Sequence, residues 1–135
     1  MKTQLTGNVG LYLVCTELSR QGFNVMPTAR NAKGVDIVAY DYRGNSFTVQ
    51  VKALTKRNPV PLGTGTGSLP ADYYVIAVHV HEEPIYHVLT RKEMQAAKIS
   101  KYTIKSSGKV GHWLDPPHYY KNPKYLDAWK KIKPD

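Results

Sequence analysis

The chain holds a single cysteine, Cys15, in 135 residues. It can form no internal disulfide and no zinc site built on cysteine pairs. Acidic residues are scarce: ten Asp plus Glu stand against nineteen Lys plus Arg, a formal net charge of +9. No apolar run approaches the roughly 20 residues that a helix needs to cross a bilayer, so no membrane association is expected. The opening MKTQLTGN has no apolar core after its lysine, so a signal peptide is not expected either, and the setting implied is reducing and cytoplasmic. Other chemistries fail on missing partners. The glycines at 63, 65 and 67 in GTGTG are followed by no Lys-Ser/Thr, so they make no P-loop. Thr64, Thr66 and Ser68 have no positioned His–Asp pair. His79 and His81 form H-x-H, with His87 beyond, but spacing places no third zinc ligand.

What the chain does have is positive charge. A basic excess of this size favours a polyanionic partner, most often nucleic acid, over the alternative of a solvated basic surface with no specific partner. The length fits one domain, residues 1–135, with a real hydrophobic core. Leu11, Val14, Cys15 and Leu18 recur at helical spacing, predicting a helix over 8–21 stopped by Gly22. Phe23–Met26 reads as a short strand, 28–34 as a basic connection, 35–40 as a second strand and 46–53 as a third, with a turn at 41–45. The prolines and glycines of 54–71 read as loop. Two apolar strands follow, at 73–80 and 85–89. Thr90 and Glu93 fit a capping box opening a helix to about 98. Residues 100–135 read as an irregular basic tail ending in an amphipathic helix at 125–132, with Trp113 and Trp129 covering the sheet and the lysines free to contact a partner. The fold class expected is α/β, with a mixed sheet.

The chemistry concentrates in Gly34–Lys52, GVDIVAYDYRGNSFTVQVK. Asp36 lies in the apolar run of one strand. Gln50 and Lys52, two apart on the next, project from the same face, while Val49 and Val51 turn to the other. Phosphodiester hydrolysis needs a divalent metal to neutralise phosphate charge and activate water. Magnesium takes hard oxygen ligands and keeps several waters, so few carboxylates suffice. Asp36 offers a carboxylate, Gln50 an amide oxygen, Val51 a backbone carbonyl, and Lys52 a cation whose pKa burial would lower. Taken singly, Asp36 also fits a strand-start aspartate bonded to backbone, and Gln50 and Lys52 fit the polar face of an edge strand. Arg30 and Lys33 before Asp36, and Lys56 and Arg57 after Lys52, fall near one end of the hairpin as phosphate contacts or solvated loop charge.

These residues resemble the PD-(D/E)XK (restriction-endonuclease-like) nuclease superfamily, especially small bacterial and phage predicted endonucleases and Holliday-junction resolvases. The likeness rests on GNVG at 7–10, TEL at 16–18, RQGFNV at 20–25, RNAKGVDIVAY at 30–40 and VQVKAL at 49–54. It continues more weakly through DYYVIAV, IYHVLTRKEM and the terminal YLDAW. The resemblance implies an αβββαβ core with a central mixed sheet flanked by helices. It implies a metal-dependent DNA endonuclease using Mg2+, with Mn2+ as substitute, acting on double-stranded or branched DNA as a homodimer. In it Asp36 matches the metal-binding acid, Gln50 stands where Glu or Asp is commoner, and Lys52 matches the catalytic lysine. One position departs. Related sequences often open the first helix with Gly-Glu, and this chain has Gly10-Leu11, leaving Glu17 as the acid of that helix, a candidate to join the catalytic metal site or a surface acid. Two other functions therefore stay open: a nuclease fold that binds DNA or a partner protein without cutting, and a nuclease directed at RNA.

Overall fold

The computed structural model describes residues 2–28, 34–63, 69–97 and 99–134. The first helix, α1 (Lys2–Arg20), begins before the apolar stripe that predicts it. Its first turns are held by tertiary contact: Thr6 is buried and its hydroxyl lies 3.0 Å from His81 Nε2. Gly22, at φ +98°, ends the helix in a conformation that glycine adopts without strain. Strands β1 (Asn24–Pro27), β2 (Ile37–Tyr40) and β3 (Ser46–Leu54) follow as antiparallel neighbours. Asp41 shapes the β2–β3 turn by accepting from the backbone of Arg43 and Asn45.

The chain then leaves the main sheet. Residues 60–63 form a further strand, β4 (Val60–Gly63), where the prolines predict loop. β4 is an edge strand with a register shift between Pro61 and Gly63, the setting in which a sheet accepts proline. The chain returns as β5 (Tyr73–Val78), parallel to β3, and turns back as β6 (Ile85–Thr90). The five-stranded mixed sheet runs β1-β2-β3-β5-β6. Among the described residues the β3–β5 crossover contains no helix, so the expected αβββαβ order is met only as far as its first three strands and the parallel return.

The tail is more ordered than its composition implies. After the short helix α2 (Arg91–Ala96), whose capping box between Thr90 and Glu93 is complete, come β7 (Ile99–Thr103) and β8 (Val110–Leu114). With β4 they build a second sheet, β4-β8-β7. A four-residue helix, α3 (Pro117–Tyr120), follows. The expected terminal helix is only a 3-10 turn at Trp129–Lys131. Asp127 in the left-handed region (φ +47°) and a bridge between Leu126 and His87 break it, while Trp129 and Ile132 still bury on the sheet.

Two cores result. Val14, Cys15 and Leu18 of α1 pack on Ile37, Phe47, Val49, Val75 and Ala77. On the opposite face, Tyr74, Ile76, Val78 and Leu89 are covered by Met94, Val60, Leu114 and Tyr119. β5 is buried on both faces, which is why its sequence is a continuous apolar run. The alternation in β3 sends Phe47 and Val49 to the first core. Thr48, Gln50 and Lys52 fall on the other face, where Leu54 joins the second core.

Candidate active site

Asp36 lies just before β2, and a local irregularity aims it. Ile37 is the register partner of Val49, yet the Asp36 N–H also donates to the Val49 carbonyl at 2.9 Å. Two residues facing one is a bulge-like offset, a device that turns a side chain out of its regular alternation. The Asp36 carboxylate lies along the ladder instead. Its Oδ2 accepts from the Val51 N–H at 2.7 Å, taking the place of a β2 carbonyl. Among the described residues no hydrogen bond engages Oδ1. In an extended strand a residue's N–H and C=O point to the same edge, so the Val51 carbonyl is directed to the Asp36 side, beyond the last β2–β3 pair.

Gln50 and Lys52 flank Val51, both half-buried and both on the face of the second core. Gln50 pairs in register with Tyr74, and Lys52 with Ile76. Burial pulls the Lys52 ammonium below the usual lysine range, and the Asp36 carboxylate partly offsets this. Among the described residues that ammonium makes no hydrogen bond or ion pair. The strand geometry therefore places a carboxylate, a backbone carbonyl, an amide side chain and a half-desolvated cation on Asp36, just before β2, and on the three consecutive β3 residues Gln50, Val51 and Lys52. These are hard oxygen donors of the kind magnesium takes, with one carboxylate among them.

Glu17 is not brought to this group. Gly10 is the residue of α1 that meets β3; a methyl there would overlap Ala53 and approach Val51. Glu17 lies two turns farther along a helix that covers the first-core face of the sheet, opposite the face of Gln50 and Lys52. It is bound to Arg20 at 2.7 Å and, after burial itself, helps push the Tyr86 phenol up. Leu11 packs against the first core. Arg30 and Lys33 lie outside the described residues. Lys56 and Arg57 are exposed just past β3, with Arg57 stacked 4.5 Å over the Tyr120 ring. The H-x-H histidines do not share a strand face: β5 ends at Val78, and His79 has φ +58°. Among the described residues no three His, Cys, Asp or Glu side chains cluster as a metal site.

Sequence reasoning missed the outer face of the small sheet. Trp113 does not cover the main sheet. It alternates with Leu114, which faces the second core, and so lies on the opposite side with Tyr102, at a ring separation of 5.2 Å. The period-2 signal in VGHWL was present, but too short to stand out from a lysine-rich tail.

No family model matches the chain, and no curated protein does. Among solved structures, it matches a bacterial homing endonuclease, I-Ssp6803I, with a TM-score of 0.62 at 20% sequence identity, over 96% of this chain and 89% of that chain. The likeness is one of fold: the chain has the α/β fold of that endonuclease nearly end to end. No described helix is long and apolar enough to cross a membrane.

Proposed function

We propose that the chain is a metal-dependent DNA endonuclease of the PD-(D/E)XK type. The observation that carries the reading is the Asp36 carboxylate held on the Val51 N–H, between Gln50 and Lys52. Asp36 Oδ1, the Gln50 amide oxygen and the Val51 carbonyl would hold Mg2+ or Mn2+. When bound, such an ion neutralises charge on the scissile phosphate and lowers the pKa of a coordinated water. Lys52 stands beside that position with its proton loosened by burial, suited to orient the attacking water and to stabilise charge developing on phosphate. Lys56 and Arg57 contact the DNA backbone. The fold shared with a homing endonuclease supports DNA as substrate, and the +9 charge supports a polyanion. A homodimer that cuts both strands of duplex or branched DNA, in the cytoplasm, completes the proposal.

The deciding experiment is plasmid cleavage in Mg2+ or Mn2+ by the wild-type chain, Asp36→Ala and Lys52→Ala. Cleavage by the wild type that both variants lose supports the reading; unchanged cleavage by either variant sinks it.

A second reading has its own observation. Leu11 is packed into a core and Glu17 is bound to Arg20, so the site has one carboxylate. A DNA-binding module without catalysis would show salt-sensitive binding to duplex DNA and no Mn2+ uptake by calorimetry.

A further inference from the structure

The outer face of the small sheet forms a groove of ≈ 590 Å3 that none of the site residues line. Its position follows from β3. Leu54 lines the groove and lies two residues beyond Lys52 on the same strand face, about 7 Å along the strand. Pro59, Pro61, Tyr102 and Trp113 line it, with Pro61 and Trp113 side by side as register partners of β4 and β8. The two aromatic rings are tilted by 38° with centroids 5.2 Å apart. Tyr102 is seated on the backbone of Gly111, where any side chain would overlap its ring. Because glycine is present there, the phenol ring lies down on the sheet. Both rings remain half-exposed.

Flat aromatic and proline surfaces take planar ligands, and the surroundings decide which. Lys101 lines the groove, and Lys56 and Arg57 stand exposed just beyond Leu54. The acid at the rim, Asp115, already accepts from the Ser100 hydroxyl at 2.6 Å. The Asn58 side chain, also in the lining, makes no hydrogen bond among the described residues and can address a polar ring edge. Aromatic platforms bordered by cations bind single-stranded nucleic acid through base stacking, with phosphates on the basic rim. We propose that this groove is a binding site for an unpaired nucleotide base of a single-stranded segment, next to the phosphate position at Lys52. The inference rests on the nuclease reading for that neighbouring phosphate, and on the groove itself for the base. It implies that the preferred substrate carries unpaired nucleotides at or beside the cleavage point, as at a junction, flap or opened duplex.

The test is a binding titration of the full chain in EDTA, where no cleavage occurs, with an oligothymidylate of about eight nucleotides and a duplex of matching length. The single strand should quench Trp113 fluorescence. Trp113→Phe should remove that quench, which assigns the signal against buried Trp129. Tyr102→Leu, which keeps bulk over Gly111 without the π-face, should weaken single-strand binding about tenfold and leave duplex binding unchanged. Far-UV circular dichroism and melting confirm folding, and Trp113→Leu serves if Tyr102→Leu unfolds. The proposal is overturned by an absent quench, by unchanged affinity in both leucine variants, or by equal loss for duplex and single strand. It is also overturned if the variants dissociate a dimer in light scattering without changing oligonucleotide affinity. Quenching without Mg2+-dependent cleavage would defeat the nuclease reading alone, and cleavage without quenching the groove alone.

Discussion

The Val51 N–H donates to the Asp36 carboxylate across 2.7 Å, so one side chain both closes the β2–β3 ladder and faces the Gln50–Lys52 step of β3. A charge-assisted bond of this kind is worth roughly 1.5–3 kcal/mol. Structural and chemical roles of Asp36 can be separated, because asparagine keeps an acceptor oxygen and loses the charge. Asp36→Asn should melt within a few degrees of the wild type yet show no Mn2+ heat in calorimetry and at least about a hundredfold slower cleavage. Asp36→Ala should lose both, with stability down by about 2 kcal/mol. Equal melting of the alanine and wild-type chains would remove the structural half of this account.

Lys52 is predicted to oppose stability while serving function. Burial depresses its folded pKa below the unfolded value, so between those two values the unfolded chain holds the extra proton. Stability attributable to Lys52 therefore rises with pH through that window, and its penalty is fully present below the folded value. Lys52→Met should raise the thermal midpoint at pH 7 by a few degrees and abolish cleavage. A lower midpoint for the methionine variant would contradict the desolvation argument.

His87 gives a second pH dependence with a defined window. Burial, and then the Arg57 guanidinium, pull it from 6.5 to about 4, and its Nδ1 has no partner among the described residues. Below pH 6.5 the unfolded chain takes a proton that the folded chain refuses. The stability contribution is present above that value and is lost as pH falls toward 4, up to roughly 3 kcal/mol. Urea titrations at pH 7 and pH 4.5 should show a smaller loss for His87→Phe than for the wild type. Parallel losses in the two chains would show that His87 does not titrate in this window.

Gly10 sets how closely α1 approaches β3. A methyl at residue 10 would overlap the Ala53 side chain, so Gly10→Ala should cost about 1–3 kcal/mol by overpacking. Ala53→Gly should recover most of it, giving a coupling energy of about 1 kcal/mol or more in a double-mutant cycle. Additive effects would mean that the helix shifts freely, and that its spacing from Val51 is not set at this contact.

Local patterning was enough for much of the first half of the chain. The spacing of Val14, Cys15 and Leu18 marks the helix, and the alternation of Phe47, Val49 and Val51 against Thr48, Gln50 and Lys52 marks β3 and its polar face. Both are short-range signals that burial of one face imposes on sequence. The second half is less legible. β4, β7 and β8 are short and partly exposed and carry Pro61, Gly111 and Lys101; β7 and β8 pair as a hairpin, and β4 is a strand only because it pairs with β8 across about fifty residues. Leu126 and Trp129 repeat at a spacing that suits a helix, but the bridge to His87 and the burial of Trp129 against Tyr86 decide otherwise.

By itself the sequence determined which residues are candidates for chemistry here: one acid in a strand start, Q-x-K in the next strand, and an excess of positive charge. Those are matters of side-chain type and strand period. Only the tertiary structure decided which of them meet. A bulge-like offset of one residue turns Asp36 onto the Val51 N–H, the first helix keeps Glu17 with Arg20 and near Tyr86, and a long-range sheet sets Tyr102 and Trp113 in a groove that Leu54, two residues past Lys52, also lines. Such placements depend on contacts between segments far apart in the chain, which no local pattern encodes.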